Sequence, residues 1–111
     1  MDIRIIKEPI SRDVALEIAK EFYVNMVKGV VDIEREIVAL GGEWHIDSDM
    51  ELLRDGSKQE NLWGFNFFPE ENRIAFTSLI NIRPLQNNRA IEIQDPKLKD
   101  RMERIIRKLI V

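Results

Sequence analysis

Leu62-Trp63-Gly64-Phe65-Asn66-Phe67-Phe68, then Pro69-Glu70-Glu71-Asn72-Arg73, then Ile74-Ala75-Phe76-Thr77-Ser78-Leu79-Ile80-Asn81-Ile82-Arg83, is the stretch that decides the fold of this chain. In the first run Trp63, Phe65 and Phe67 recur at every second position, the period of a strand with one buried face. Proline followed by charged residues and asparagine marks a turn. The third run reads as the longest strand, ended by Pro84. Residues 62–83 are therefore predicted to form an antiparallel hairpin. With Phe68 opposite Ile74, the face of Trp63, Phe65 and Phe67 also carries Leu79, Thr77 and Ala75. At the open end the same register sets Asn61 opposite Asn81 and Gln59 near Arg83. A slip of one residue would move every one of these side chains to the other face.

Working outward, residues 27–40 carry Val27, Val30, Val31, Ile37 and Val38 and end at Gly41-Gly42. That spacing also suits a helix face, but the β-branched content favours a second hairpin turning near Glu34-Arg35-Glu36. Residues 2–8 alternate Ile3 and Ile5 with polar neighbours, a short strand stopped by Pro9. Ser11 caps an amphipathic helix with Ala15, Ile18, Ala19, Phe22 and Met26 on one stripe. Residues 43–47 read as extended. Ser48 with Glu51 is a capping-box pair and Gly56 suits a C′ position, so Met50, Leu52 and Leu53 fall in a short helix. Residues 90–93 suit one more short strand. Asp95-Pro96 opens a last helix with Leu98, Met102, Ile105, Ile106 and Leu109 on its apolar stripe. The expected fold class is α+β in the approximate order βαββαββα. A mostly antiparallel sheet of hairpins, with two longer helices and one short helix on one face, makes a single domain over residues 1–111.

At 111 residues with 44% hydrophobic and 33% charged side chains, the composition is that of a globular domain, not a disordered chain. No run approaches the roughly 18 apolar residues of a membrane span, and the N-terminus has no long apolar leader, so no membrane partner is expected and the expected location is cytoplasmic. The absence of cysteine excludes disulfides, thiolate metal sites and cysteine nucleophiles. Dense Glu, Lys and Arg match a heat-stable composition. Net charge is −3, yet residues 96–111 carry +4, from Lys97, Lys99, Arg101, Arg104, Arg107 and Lys108 against Asp100 and Glu103. Cations toward a helix C-terminus complement its dipole, and Asp100–Arg104 and Glu103–Arg107 are i,i+4 pairs. With the remainder acidic, a nucleic-acid partner is not expected.

Two groups of residues carry candidate chemistry. On an extended segment Glu43, His45 and Asp47 would share one face, where they could hold a divalent metal or orient His45 as a base, or simply form a solvated strand face. The second group is Gln59, Asn61, Trp63, Asn66, Asn81, Arg83, Asn88 and Arg89. Amides and guanidinium groups beside an aromatic wall suit a pocket for a small anionic ligand, with Lys58 as a further cation. The same residues equally suit a buried network fastening loops 56–61 and 84–89 to the sheet. Gly56-Ser57-Lys58 lacks the upstream glycine and preceding strand of a P-loop. Ser57 lacks the setting of a hydrolase nucleophile.

Gly41-Gly42-Glu43-Trp44-His45-Ile46-Asp47, Gly56-Ser57-Lys58-Gln59, Leu62-Trp63-Gly64-Phe65-Asn66 and Asn81-Ile82-Arg83-Pro84 with Asn88-Arg89, taken in order, resemble a family of short prokaryotic proteins known as a domain of unknown function. The resemblance spans nearly the whole chain and implies a stand-alone domain; it brings no activity, cofactor or catalytic residue. From the residues themselves, the first expectation is a small non-catalytic ligand-binding or interaction module that forms homo-oligomers. The alternative is a metal-assisted hydrolase or small nuclease using His45, partnered by Asp47 or Glu43 and with Arg83 or Lys58 stabilising anionic charge. A third reading is a module that meets a protein partner through a sheet edge or through its tryptophans. No cofactor is named by the sequence.

Overall fold

The computed structural model describes residues 2–111; Met1 lies outside the described residues. Its elements are β1 (Arg4–Ile6), α1 (Arg12–Ala19), β2 (Val27–Asp32), β3 (Ile37–Leu40), α2 (His45–Arg54), β4 (Leu62–Phe68), β5 (Arg73–Ala75) and α3 (Pro96–Leu109), the βαββαββα order read from the sequence. The five strands form one antiparallel sheet in the order β1-β3-β2-β4-β5. Among the described residues no helix is long and apolar enough to cross a membrane.

The helices divide between the two faces of the sheet, where one covered face was expected. On the first face Val27, Val31, Val38, Leu40, Trp63, Phe65 and Phe67 pack against Ala15 and Ile18 of α1 and Met102, Ile105, Ile106 and Leu109 of α3. On the second, Val30, Ile37, Ala39 and Leu62 pack with Leu52 of α2, beside Ile3, Ile5 and Ile80. The physical sign was present in β3, where Ile37-Val38-Ala39-Leu40 is apolar at every position and buried at every position. A strand wet on one side alternates; a strand covered on both does not. Gly29 lies opposite Phe65, and a Cβ there would come within 2.4 Å of the Phe65 ring, so the missing side chain is what lets that ring lie across β2.

The element lengths also differ from expectation. α1 ends at Ala19 after 8 residues, α2 runs for 10 and α3 for 14, so α2 is not the shortest helix. Phe22-Tyr23-Val24 follows α1 as a turn: aromatic and β-branched side chains lose rotamer freedom in a helix, and the Tyr23 hydroxyl donates to the Glu43 carbonyl at 2.6 Å. Residues 43–47 are not extended. Gly41 and Gly42 adopt φ of +116° and +89°, turning the chain out of β3, and α2 begins at His45. Asp47 then supplies the cap, its carboxylate accepting from the Trp44 N–H at 3.0 Å. Ser48, expected as N-cap, lies inside the helix and donates its hydroxyl to Gly41 O at 3.0 Å. Gly56, with φ of +104°, follows the helix as expected.

The β2–β3 hairpin forms where it was expected, its turn held by Asp32 Oδ1, which accepts from the N–H groups of Glu34 and Arg35 at 2.9 and 3.0 Å. The β4–β5 hairpin forms one residue out of the expected register. Phe68 pairs with Arg73 and Phe67 with Ile74. Ile74 and Phe76 therefore join the first core, in place of Ala75 and Thr77. Instead of running to Arg83, β5 ends at Ala75. Beyond it the chain turns to its own downstream segment: Ser78 N–H donates to Ile91 O and Ile93 N–H to Phe76 O, both at 3.0 Å. The strand expected at residues 90–93 is reduced to a single bridge between Thr77 and Glu92. Residues Leu79–Asn81 and Pro84–Gln86 are single 3-10 turns.

Candidate functional site

The departure of β5 leaves the main chain of β4 without a neighbouring strand, and Asn81 replaces it. Its Oδ1 accepts from Gly64 N–H at 2.8 Å, while Nδ2 donates to Gly64 O at 3.0 Å and Ile91 O at 3.2 Å. Asn88 serves the next loop: Nδ2 faces the carbonyls of Asn81, Ala90 and Glu92 at 2.8 to 3.1 Å, and Oδ1 accepts from Gln94 N–H at 2.8 Å. The Arg83 guanidinium stacks 3.7 Å from the Trp63 ring centroid. It donates to Gln59 O at 2.8 Å, to Gln86 Oε1 at 3.1 Å and to Leu62 O. Gln59 in turn donates to Asp49 Oδ1 at 2.9 Å. Burial pushes the Asp49 carboxyl above its ordinary range, opposed by the Gln59 hydrogen bond and the Arg83 charge. Burial lowers the Arg83 guanidinium, opposed by Asp49.

Gln59, Trp63 and Arg83 are thus brought together as the sequence suggested, but by loop packing and not by a long strand. Asn61 does not face Asn81; its carbonyl accepts from Ile33 N–H. Arg89 is exposed, with its main-chain N–H on Gln94 Oε1. The polar atoms of Asn81 and Asn88 are bonded to main chain, as are the terminal nitrogens of Arg83. This is the network that fastens the loops.

Glu43, His45 and Asp47 share no strand face, because α2 starts within them. Among the described residues no group of three or more His, Asp or Glu side chains is placed to hold a metal ion. His45 is buried, with Nε2 2.8 Å from the Phe65 carbonyl. A carbonyl only accepts, so Nε2 carries the proton in that bond and Nδ1 holds the lone pair. Burial is the main reason the imidazole pKa falls to about 4; the Phe65 carbonyl resists this, the Lys28 charge adds to it, and the Asn66 amide resists it. His45 is neutral at pH 7 and a poor proton acceptor there.

What the structure adds is a cleft of about 370 Å³ between the start of α2 and residues 77–80. It exists because α2 begins early and the chain after β5 swings away from β4. Trp44, Ile46, Leu79, Ile80 and Ile91 form apolar walls, while His45, Asn66, Thr77, Ser78 and Lys28 supply polar groups. The Lys28 ammonium lies 5.2 Å from the ring centroids of both Tyr23 and Trp44 and makes no ion pair with a described residue. Asn66 Nδ2 donates to Thr77 Oγ1 at 3.2 Å, and its Oδ1 is buried without a hydrogen-bond partner among the described residues.

A family profile, Protein of unknown function (DUF5674), matches residues 4–109. The chain belongs to that family. The DUF5674 match runs from the first residue of β1 to the last of α3, so it takes in every strand and helix described above. No curated protein and no solved structure matches the chain.

Of the residues singled out from the sequence, Asn66 and His45 line this cleft. Trp44, Thr77 and Lys28 were missed as site residues. One signal was legible: Lys28 is the one basic residue of β2, a central strand whose Val27, Gly29, Val30 and Val31 are apolar and whose other charge, Asp32, stands at its far end. A cation retained there faces a cavity or a partner.

Proposed function

We propose that this protein is a non-catalytic binding module whose ligand is a small amphipathic anion, seated in the cleft between α2 and residues 77–80. One observation carries the reading: Lys28, unpaired with any acid among the described residues, sits between two aromatic rings at the edge of an otherwise largely apolar cavity. An ammonium in that setting offers its full charge to an incoming carboxylate or phosphate, while Trp44, Ile46 and Leu79 cover an apolar body. The cleft volume of about 370 Å³ suits a molecule of modest size. A catalytic reading finds less support, since His45 is neutral and bonded to main chain and Asp47 is engaged as a helix cap.

Trp44 is itself the reporter. Titrating aryl and alkyl carboxylates against their uncharged amides should quench or shift its fluorescence for the acids only. Lys28→Met, which keeps the apolar stem, should weaken the acid by about tenfold or more, roughly 1.4 kcal/mol. Equal binding of acid and amide, or an unchanged Lys28→Met, would refute the reading.

A second reading, self-association, draws on the apolar residues exposed around the same cleft: Leu79 is 75% exposed, Trp44 57% and Ile46 46%. Light scattering on the wild type and on Leu79→Asp tests it. A monomer at high concentration would dismiss it.

A further inference from the structure

We propose that a second cleft, at the other end of β2 from Lys28, binds an alkylammonium group through Asp32. Asp32 has no exposed surface, and its two carboxylate oxygens have different fates. Oδ1 holds the hairpin turn through the Glu34 and Arg35 N–H groups. Oδ2 is buried and has no hydrogen-bond partner among the described residues. A buried carboxylate oxygen without a donor is costly, and native structures rarely leave one so.

Asp32 lines a cleft of about 320 Å³ with Glu34, Ser57, Lys58, Glu60 and Asn61 among its walls. Arg35 lies there too, but its guanidinium is already engaged: Nη2 bonds Asp55 Oδ2 and Nη1 bonds Ser57 Oγ, both at 2.7 Å. What is left is Asp32, Glu34 and Glu60 against the single ammonium of Lys58, an electronegative cavity that favours a cation bearing N–H donors. Calcium or magnesium would need a shell of several oxygen ligands, and no triad of carboxylate or imidazole groups converges among the described residues. An ammonium group carries three donors and can be held by one carboxylate oxygen with amide or carbonyl neighbours. Exposed Glu34, Lys58 and Glu60 make no ion pairs with described residues and are free to turn aside as the group enters.

The test is an amide-resolved NMR titration of the full chain with putrescine, with 1,4-butanediol as its uncharged analogue and with magnesium chloride. Putrescine should shift the amides of residues 32–35 and 57–61 saturably, with a Kd of about 1 mM or tighter. Asp32→Asn keeps an oxygen for the turn but loses the charge, and should weaken binding about tenfold. Should that variant fail to fold, Glu34→Gln with Glu60→Gln supplies the charge test and should weaken binding severalfold. Lys58→Ala removes the competing cation and should tighten it; an anion site would respond the opposite way. Nα-acetyl-lysine separates the sources: affinity equal to putrescine points to a lysine side chain of another protein, weaker affinity to a free diamine. Butanediol binding as well as putrescine, magnesium outcompeting it at the same amides, or no saturable shift would overturn the proposal.

Discussion

The two faces of the sheet are built on different principles. The face under α1 and α3 is closed by Phe65, Phe67, Met102 and Ile106, all without exposed surface and packed in one apolar cluster. The face under α2 holds Asp32, His45, Ser48, Asp49 and Asn81 among its buried groups and borders both clefts. Apolar packing is non-directional, so the first face needs only the right residues at the right period. The second depends on donors and acceptors meeting at about 3 Å, and where they fail to meet the molecule has unpartnered groups that can bind something else.

The largest effect expected from breaking this contrast is on the dry face. Phe65→Ala should cost about 3–5 kcal/mol in chemical denaturation, because the ring is fully buried and Gly29 beneath it cannot fill the space. A much smaller loss would mean that the ring is not packed as described.

On the wet face, pH is the sharper tool. His45 has a folded pKa of about 4 against an ordinary 6.5, so the unfolded chain takes up a proton first as pH falls. Its contribution to stability is complete above pH 6.5 and is lost as pH drops toward 4, by on the order of 3 kcal/mol. The Asp49 carboxyl, raised by burial, acts in the opposite sense: protonation relieves it as pH falls. Comparing stability against pH for wild type and His45→Gln isolates the imidazole. A slope between pH 4 and 6.5 that survives the substitution would show that His45 is not its source.

Asn81→Ala should cost about 2 kcal/mol, since it strips partners from both main-chain groups of Gly64. Hydrogen exchange at Gly64 should accelerate in step, and protection retained there would mean that water or another strand takes over. The smallest effect belongs to the exposed surface. Removing the Arg104–Asp100 pair, with both side chains more than 70% exposed, should change stability by less than about 0.5 kcal/mol. A larger loss would place α3 in a contact beyond this chain.

The division also governs what could be read before the structure was known. The aromatic run of β4, the apolar run of β3, the Asp95-Pro96 start of α3 and the βαββαββα order are local signals, and each stands where the residues put it. The registered hairpin fell one residue away, because Asn72 takes a φ of +51° and shortens the turn by one. The start of α2 fell four residues early, because two glycines with positive φ and the Asp47 cap outweighed an alternating Glu-x-His-x-Asp pattern.

By itself the sequence determined the order of the main elements and the apolar stripes of β4 and α3, since periods of 2 and 3.6 are written in neighbouring residues. Only the tertiary structure decided that Asn81 would stand in for a strand, that His45 and Lys28 would border one cavity, and that Asp32 would keep one oxygen unpartnered. Those outcomes depend on which distant main-chain group reaches a donor or acceptor first, and no local pattern of residues encodes that distance.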